Sequence, residues 1–241
     1  MKRRSYLKVA AIILLIALLI TLLVGLGFWQ LSRANQKEAL LAQLQQGQRQ
    51  SVLESSALSE KTPQDLRFSR ITLQGKFLNE RTILLDNKTN NAVPGYHVFV
   101  PFSLSDGQLV LINRGWIPLG ASRQHIPNPE AVKGEVTIEG YLDFAYRNPF
   151  INNALETSAI SWPLRIQQLD LALIEQLTGR KLYKMLVILD KKSPFAFEPP
   201  TIISDQMPPA RHRGYAFQWF SLAALLFLLS ILSVRHFKGK A

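Results

Sequence analysis

Cysteine is absent from the 241 residues of this chain. Its absence excludes disulfide bonds, thiol redox exchange, thiolate copper sites and the covalent attachment of c-type haem. The sequence also lacks a His-Glu-x-x-His motif, a glycine-rich phosphate loop and a Gly-x-Ser-x-Gly motif, which carry metalloprotease, nucleotide-binding and hydrolase chemistry. The chain is therefore not expected to be an enzyme, and no residue is assigned a catalytic role.

Acidic residues are absent from both ends of the chain, whereas basic residues are frequent there. Seven of the 28 Lys and Arg residues lie in the segments 1–8 and 235–241. The part between them carries 21 basic and 17 acidic residues, so the net charge of +11 arises mostly at the ends. Because basic residues that flank membrane spans face the cytoplasm, this distribution indicates membrane topology rather than nucleic-acid binding.

Two uncharged runs of 20 residues occupy 9–28 and 215–234. A transmembrane helix needs about 20 apolar residues, so the sequence predicts a bacterial inner-membrane protein with two spans. Both tails, 1–8 and 235–241, are expected in the cytoplasm, and residues 29–214 are expected to form a periplasmic domain. The alternative for the first run is a cleaved signal peptide, which would have an apolar stretch of about 7 to 15 residues and an Ala-x-Ala-like site.

The predicted periplasmic domain is divided by its hydrophobic pattern and its turn residues. Its parts are a helical extension at 29–45, a linker at 46–66, a β-rich core at 67–190 and a proline-rich return at 191–214. Apolar residues alternate with polar ones at Ile71, Leu73 and Phe77, which is typical of a half-buried strand. Further strands are predicted at 81–86, 96–102, 108–116, 135–144 and 183–189, with one helix over 169–177 that ends at Gly179. Short strands joined by turns favour an α+β domain whose antiparallel sheet is closed or sandwiched.

His212 is the strongest candidate ligand among the four histidines of the chain. If a helix is already wound at this position, His212, Tyr215, Ala216 and Trp219 fall at i, i+3, i+4 and i+7 and share one face. An imidazole nitrogen is a good axial ligand for haem iron, and the aromatic rings would pack against a flat macrocycle. The alternative is membrane anchoring, because Tyr, Trp and basic residues are enriched at every membrane interface.

The end of the first predicted span carries Trp29, Gln30 and Arg33. The predicted topology places these residues at the same membrane face as His212, so the two helices can enclose a shared site. An aromatic belt with a snorkelling arginine is the alternative interpretation.

A third candidate is Asn113-Arg114-Gly115-Trp116, which closes the apolar strand of the predicted core. Glycine at this point permits a bulge or a close approach of another backbone. Arginine beside tryptophan can stack or clamp an acidic group. A solvated strand end explains the same residues equally well.

Four motifs follow one another along the chain. They are Leu26-Gly27-Phe28-Trp29-Gln30-Leu31-Ser32-Arg33, Gly95-Tyr96-His97-Val98-Phe99-Val100-Pro101, Val110-Leu111-Ile112-Asn113-Arg114-Gly115-Trp116 and His212-Arg213-Gly214-Tyr215-Ala216-Phe217-Gln218-Trp219-Phe220. Together with the two predicted spans, they resemble bacterial members of the surfeit locus family of cytochrome c oxidase assembly factors. One departure is Arg213, where many relatives carry an apolar residue.

The resemblance implies a non-enzymatic factor that binds haem a and helps to build haem-copper oxidases. It implies that His212 is the axial ligand of the haem iron, with no other metal. The cofactor-binding residues are then His212, Tyr215, Trp219, Trp29 and Arg33. Packing or partner-contact positions are Gln30, Gly95, Tyr96, Asn113, Arg114, Gly115, Trp116 and Gln218. The implied partners are the oxidase catalytic subunit, haem a synthase and the lipid bilayer, and no nucleic acid.

Two alternatives remain open at the level of the sequence. The first is a haem-free membrane scaffold that stabilises an oxidase intermediate through protein contacts. The second is a membrane-tethered enzyme or sensor, which would have a pocket in the β-rich core lined by polar groups with shifted pKa values.

Overall fold

The computed structural model describes residues 2–120, 122–145, 151, 154–155, 160–199 and 207–238. Parts of the predicted tails and of the predicted proline-rich return, namely residues 1, 200–206 and 239–241, lie outside the described residues. The chain forms two compact units, which are Met1–Ala42 with Ile202–Ala241, and Gln43–Thr201. We call them the helical unit and the barrel unit.

The helices are α1 at Lys2–Arg49, α2 at Ala57–Glu60, α3 at Pro63–Leu66, α4 at Leu171–Thr178 and α5 at Pro209–Lys238, with a 3-10 turn at Asn79–Arg81. The strands are β1 at Arg70–Phe77, β2 at Ile83–Asn90, β3 at Val93–Leu104, β4 at Leu109–Pro118, β5 at Glu135–Phe144, β6 at Leu164–Ile166 and β7 at Leu182–Leu189. Strands β1, β4, β5 and β7 fall where the alternating or continuous apolar patterns predict them.

The helical unit is built from α1 and α5. Within the described residues, two helices are long and apolar enough to cross a membrane, over Val9–Gly47 and Pro209–Arg235. Large apolar side chains on both helices are exposed, for example Leu14 and Phe217. Such surfaces are typical of helices that face lipid, because lipid tails are as apolar as the side chains themselves. The expectation of an apolar helix near each end of the chain is confirmed.

The barrel unit contains a sheet with seven strands in the described part of the chain, in the order β1-β5-β7-β4-β3-β2-β6. An additional pairing between β1 and β3 closes it. The sheet is thus closed, which is one of the two forms, closed or sandwiched, that the sequence predicts. Strands β2 and β6 extend the sheet beyond the point of closure.

The prediction of a purely antiparallel sheet is wrong, because the sheet is mixed. Strand β7 runs parallel to β4, and β6 runs parallel to β2. Parallel pairing requires a long connection, and α4 lies in the connection that leads into β7. The sequence does not reveal this arrangement, because turn residues report on neighbouring strands and not on strands that are far apart in the chain.

Burial follows the pattern of side chains along each strand. In β1, Ile71, Leu73 and Phe77 are buried, while Gln74 and Lys76 are exposed, as the alternation predicts. Strand β4 is buried on both faces from Leu109 to Trp116, which is typical of a strand covered on both sides. The largest fully buried side chains of the barrel include Tyr96, Phe68, Phe77, Phe102, Leu73 and Ile112.

Helix α4 has both of its ends fixed by local side-chain chemistry. The Asp170 carboxylate accepts hydrogen bonds from the backbone N–H groups of Ala172 and Leu173, which would otherwise lack partners at the helix start. At its end, Gly179 adopts a left-handed conformation with φ of 67°, as expected for a C-terminal cap. The predicted stop at Gly179 is confirmed.

Candidate functional site in the helical unit

Buried residues recur at helical spacing along one face of each long helix. On α1 they include Gly27, Gln30 and Ala34, and on α5 they include His212 and Ala216. Glycine and alanine allow two helix backbones to approach closely, which is how helices associate when both neighbours and solvent are apolar. We call this contact surface between α1 and α5 the seam.

Phe220 fixes one level of the seam. Its ring packs edge-to-face against Phe28, with the ring centroids 5.3 Å apart. A Cβ atom added to Gly27 would lie 2.5 Å from the Phe220 ring. Any side chain at position 27 would therefore require this ring to move.

One helical turn from Gly27, the seam contains a polar pair. The Nδ1 atom of His212 lies 2.7 Å from the Oε1 atom of Gln30. His212 is 7% exposed and Gln30 is 9% exposed. A hydrogen bond between buried groups is worth more than one in water, and its loss would leave a buried polar atom unsatisfied. The pair therefore fixes the orientation of the imidazole within the seam.

Exposed charged residues flank the seam. A nitrogen of the Arg213 guanidinium lies 2.8 Å from the Glu38 carboxylate, and Arg33 donates a hydrogen bond of 3.0 Å to the Gln36 side chain. Exposed ion pairs typically contribute about 0–1 kcal/mol. The Arg213 pair connects the two helices but adds little to their stability.

The residues that the sequence places on one face with His212 differ in burial. Ala216 shares the buried face, and Trp219 is half-buried at its edge. Tyr215 is 41% exposed and Trp29 is 55% exposed, so neither ring is buried in the seam. Gln218 is exposed as well. Of the predicted set, the structure brings together His212 and Gln30.

From the sequence, Gln30 is expected at a packing or partner position and is not paired with His212. A signal for the pairing exists in the spacing. Gly27, Gln30 and Ala34 stand at i, i+3 and i+7, which places them on one helix face. A single amide between two small residues on an otherwise apolar face indicates a specific polar partner on the opposing helix.

In the barrel unit, the motif Asn113–Trp116 near the end of β4 forms a bulge, and the segment Phe197–Glu198 packs against it. Gly115 has φ of +111°, and the Asn113 side-chain oxygen accepts a hydrogen bond of 2.9 Å from its N–H. Phe197 N–H donates to the Arg114 carbonyl at 2.6 Å, and Trp116 N–H donates to the Glu198 carbonyl at 2.6 Å. A Cβ atom on Gly115 would lie 2.5 Å from that Glu198 oxygen. We call this contact between β4 and Phe197–Glu198 the latch.

Arg114 lies inside this end of the barrel and is 4% exposed. It donates hydrogen bonds to the carbonyl oxygens of Phe195 (2.9 Å) and Glu130 (2.7 Å). Its guanidinium carbon lies 4.5 Å from the ring centroid of Phe197, at the distance of a cation–π contact. Burial lowers the pKa of Arg114, and the nearby Glu130 raises it in part. Arg114 ties two loops to β4, so the alternative of a solvated strand end is wrong.

The remaining motif residues of the barrel pack around Trp116. The Trp116 indole N–H donates to the Lys88 carbonyl at 3.2 Å. A Cβ atom on Gly95 would lie 2.5 Å from the Trp116 ring, so glycine is needed for close packing there. Tyr96 is fully buried. Among the described residues, Gly95, Tyr96 and Trp116 thus build the barrel core.

Two cavities bear on the enzyme or sensor alternative. One has about 460 Å³ and is lined by Leu58, Lys61, Pro63, Gln108, Glu175, Lys181, Leu182, Tyr183 and Lys184, and the other has about 200 Å³. The smaller cavity is lined by Leu85, Asp86, Asn87, Lys88, Ile151, Gln167, Gln168 and Leu169. Burial lowers the pKa of Lys88, and the buried Asp86 Oδ2 lies 3.6 Å from Arg123. The volume of the smaller cavity is below the roughly 300–1,000 Å³ of small-molecule sites, whereas the larger cavity falls within that range. No group of three or more His, Cys, Asp or Glu side chains that would hold a metal occurs in the described ranges.

His97 in β3 is expected to give the barrel a pH-dependent stability. Burial, and secondly the charge of Lys88, lower the pKa of His97 from 6.5 to about 4. Between pH 6.5 and 4, His97 is therefore protonated in the unfolded chain but neutral in the folded barrel. The free energy of unfolding thus decreases as the pH falls through this window. The shift corresponds to at most about 3 kcal/mol, and partial exposure reduces it to about 2 kcal/mol. Denaturant midpoints of the detergent-solubilised chain at pH 7 and pH 4 measure the loss.

His97→Gln should remove this pH dependence, because glutamine does not titrate. His125→Gln is the matched control, since His125 lies exposed on a loop of the same unit. If His97→Gln and the unchanged protein lose the same stability between pH 7 and pH 4, His97 is not the responsible group.

Comparisons with known proteins agree with the motifs. The model of the SURF1 family matches residues 17–224. A SURF1-like protein of Rickettsia felis is 25% identical over 92% of this chain and 96% of its own length. A SURF1-like protein of Monosiga brevicollis is 31% identical over 48% of each chain, and one of Dictyostelium discoideum is 33% identical over 38% of this chain and 37% of its own. The family is known generally for oxidase assembly factors. The names of its members suggest such a factor and do not suggest an enzyme. The chain belongs to the SURF1 family.

Proposed function

We propose that this protein binds haem a in the helical unit and presents it to the catalytic subunit of a haem-copper terminal oxidase. The observation that carries the proposal is the buried imidazole of His212, held 2.7 Å from the Gln30 amide oxygen. Membership of a family of oxidase assembly factors supports the assembly role. Haem a synthase is the proposed source of the cofactor.

The residues of the helical unit fit a haem group. His212 offers a nitrogen ligand whose ring is oriented by a hydrogen bond at its other nitrogen, an arrangement common among metal-binding histidines. Trp29 and Tyr215 expose aromatic surface that would pack against an apolar macrocycle. The exposed Arg33 would pair with a propionate. When bound, the haem supplies the iron centre that the oxidase requires.

The same proposal includes a membrane topology. Helices α1 and α5 would span the bacterial inner membrane, the basic ends would lie in the cytoplasm, and the barrel unit would lie in the periplasm. The basic, acid-free ends of the chain support this orientation. Reporter fusions within the barrel unit test it. If the barrel unit supports only a reporter that is active in the cytoplasm, and not one that is active in the periplasm, both the topology and the delivery of haem at the outer face are ruled out.

The central experiment measures haem in the purified protein. We expect the full chain, purified from cells that make haem a, to show a Soret band, and His212→Ala to reduce haem content at least about tenfold through loss of the axial ligand. His125→Ala is the matched control because it removes an exposed histidine of the barrel unit. An unchanged Soret band in His212→Ala would remove His212 from the ligand role.

The haem-free scaffold remains the second candidate, because the latch and the hydrogen bonds of the buried Arg114 hold one end of the barrel unit in a fixed conformation, and a rigid domain is suited to binding a partner. It predicts a colourless protein that still co-purifies with the oxidase catalytic subunit. Colourless protein with intact co-purification would therefore favour the scaffold over haem delivery.

A further inference from the structure

Gln30 and His212 form a polar contact in a seam that is otherwise lined by small and apolar side chains. Both residues are more than nine-tenths buried. Their contact of 2.7 Å joins positions 182 residues apart in the chain. A buried amide that meets a single imidazole restricts which hydrogen bonds that imidazole can make, because water does not supply a substitute in such a site.

The chemistry of the contact selects one form of the imidazole. Neutral imidazole has one N–H donor and one acceptor nitrogen. The amide oxygen of Gln30 only accepts, so Nδ1 of His212 must carry the proton and donate it. The unshared electron pair is then on Nε2. Metal-ligating histidines are held in this way, with the non-ligating nitrogen bonded to an oxygen acceptor that fixes both tautomer and orientation.

We propose that Gln30 is a positioning residue that holds His212 in the tautomer protonated at Nδ1, so that Nε2 is available as a ligand. The proposal rests on the proposed function only for the identity of the metal group, which is haem iron. Gln30 does not touch the iron. It acts through His212, and its hydrogen bond also sets how strongly the imidazole donates electron density to a bound metal.

The first test needs no haem. Long-range ¹H–¹⁵N NMR of the haem-free full chain in detergent, labelled in its histidine rings and held at about pH 8.5, reports the tautomer of each neutral imidazole. His212→Gln identifies the His212 signals. We expect the Nδ1-protonated form in the unchanged protein and in Gln30→Glu, whose carboxylate also accepts. We expect its loss in Gln30→Met, which has no acceptor of comparable strength.

Gln36→Met is the matched control, because Gln36 is an exposed glutamine on the same helix. It should leave the His212 signals unchanged. The proposal is wrong if His212 is protonated at Nε2 in the unchanged protein, which would mean that the Gln30 amide is turned and donates to Nδ1. It is also wrong if Gln30→Met leaves the tautomer unchanged.

The second test uses the haem-loaded protein. Loss of an outer-shell hydrogen bond typically lowers metal affinity about 10- to 100-fold, so Gln30→Met should bind haem at least about tenfold more weakly. The reduction potential should be lowest in Gln30→Glu, intermediate in the unchanged protein and highest in Gln30→Met. A purely structural role would weaken binding without producing this order.

The two tests separate the failure of this inference from the failure of the proposed function. If every variant is colourless but the tautomer depends on Gln30, the positioning role stands and haem binding is wrong. If haem binds through His212 but neither tautomer nor potential responds to Gln30, haem binding stands and the positioning role is wrong.

Discussion

Gly115→Ala is expected to destabilise the barrel unit by about 4 kcal/mol and to release the latch. A non-glycine residue at φ of +111° stores roughly 1–3 kcal/mol of backbone strain. The added methyl group would also lie 2.5 Å from the Glu198 carbonyl oxygen, so the backbone of that segment must move. The two hydrogen bonds of 2.6 Å that join it to Arg114 and Trp116 would break, at a cost of about 1 kcal/mol each.

Gly120→Ala separates strain from collision. Gly120 also has a positive φ, +85°, but a Cβ atom there meets nothing within 4 Å. Denaturant midpoints of the detergent-solubilised full chain measure the loss of stability, and hydrogen exchange of Phe197 and Trp116 N–H groups measures release of the latch. Equal effects of the two substitutions would show that the Phe197–Glu198 segment does not press against Gly115. A free energy of unfolding of 5–15 kcal/mol is typical of a domain, so a loss of about 4 kcal/mol is a large fraction.

Features set by neighbouring residues could be predicted from the sequence. Each apolar helix is a continuous uncharged run, and its length alone indicates a span. Helix α4 ends where Gly179 supplies the left-handed residue, and the alternation of Ile71, Leu73 and Phe77 places them on the buried face of β1. In each case the residues that cause the structure lie within a few positions of it.

Features set by distant residues could not be predicted. The parallel pairing of β4 with β7 depends on the position at which the chain enters β7 after α4. No turn motif in the sequence indicates that position. One local feature could not be predicted either: the hairpin between β2 and β3 turns at Asn91 and Ala92, both with positive φ. Alanine rarely adopts that conformation, so the sequence predicts a longer loop over 87–95 instead of this tight turn.

The candidate site shows the same division. A histidine at the entry to an apolar helix is visible in the sequence, and the motif around it is specific. The partner of that histidine, Gln30, lies at the other end of the chain. Helical spacing identifies the face on which each residue lies, but it does not determine the register between two helices. That register buries His212 against the Gln30 amide and leaves the Tyr215 ring exposed.

Gly27→Ile is expected to separate α1 from α5 at the level of the polar pair. The substituted side chain would occupy the space of the Phe220 ring, since even a Cβ atom lies 2.5 Å from it. Overpacking typically costs about 1–3 kcal/mol, and 1.4 kcal/mol is a tenfold change in an equilibrium. The equilibrium constant for helix pairing should therefore decrease about tenfold, and the hydrogen bond between Gln30 and His212 should be weakened with it.

Chemical crosslinking measures helix pairing without reference to haem. The chain has no native cysteine, so cysteines introduced at Glu38 and Arg213, which form an ion pair, can be joined by a short bifunctional maleimide. Gly27→Ile should reduce the yield, whereas Gly25→Ile should not, because a Cβ atom on Gly25 meets nothing within 4 Å. Adding Phe220→Ala to Gly27→Ile should restore both the crosslink and the His212 tautomer, since it removes the ring with which isoleucine collides. A double variant that pairs no better than Gly27→Ile alone would show that Phe220 does not set the distance between the helices, and the close approach at Gly27 would then not be what holds His212 against Gln30.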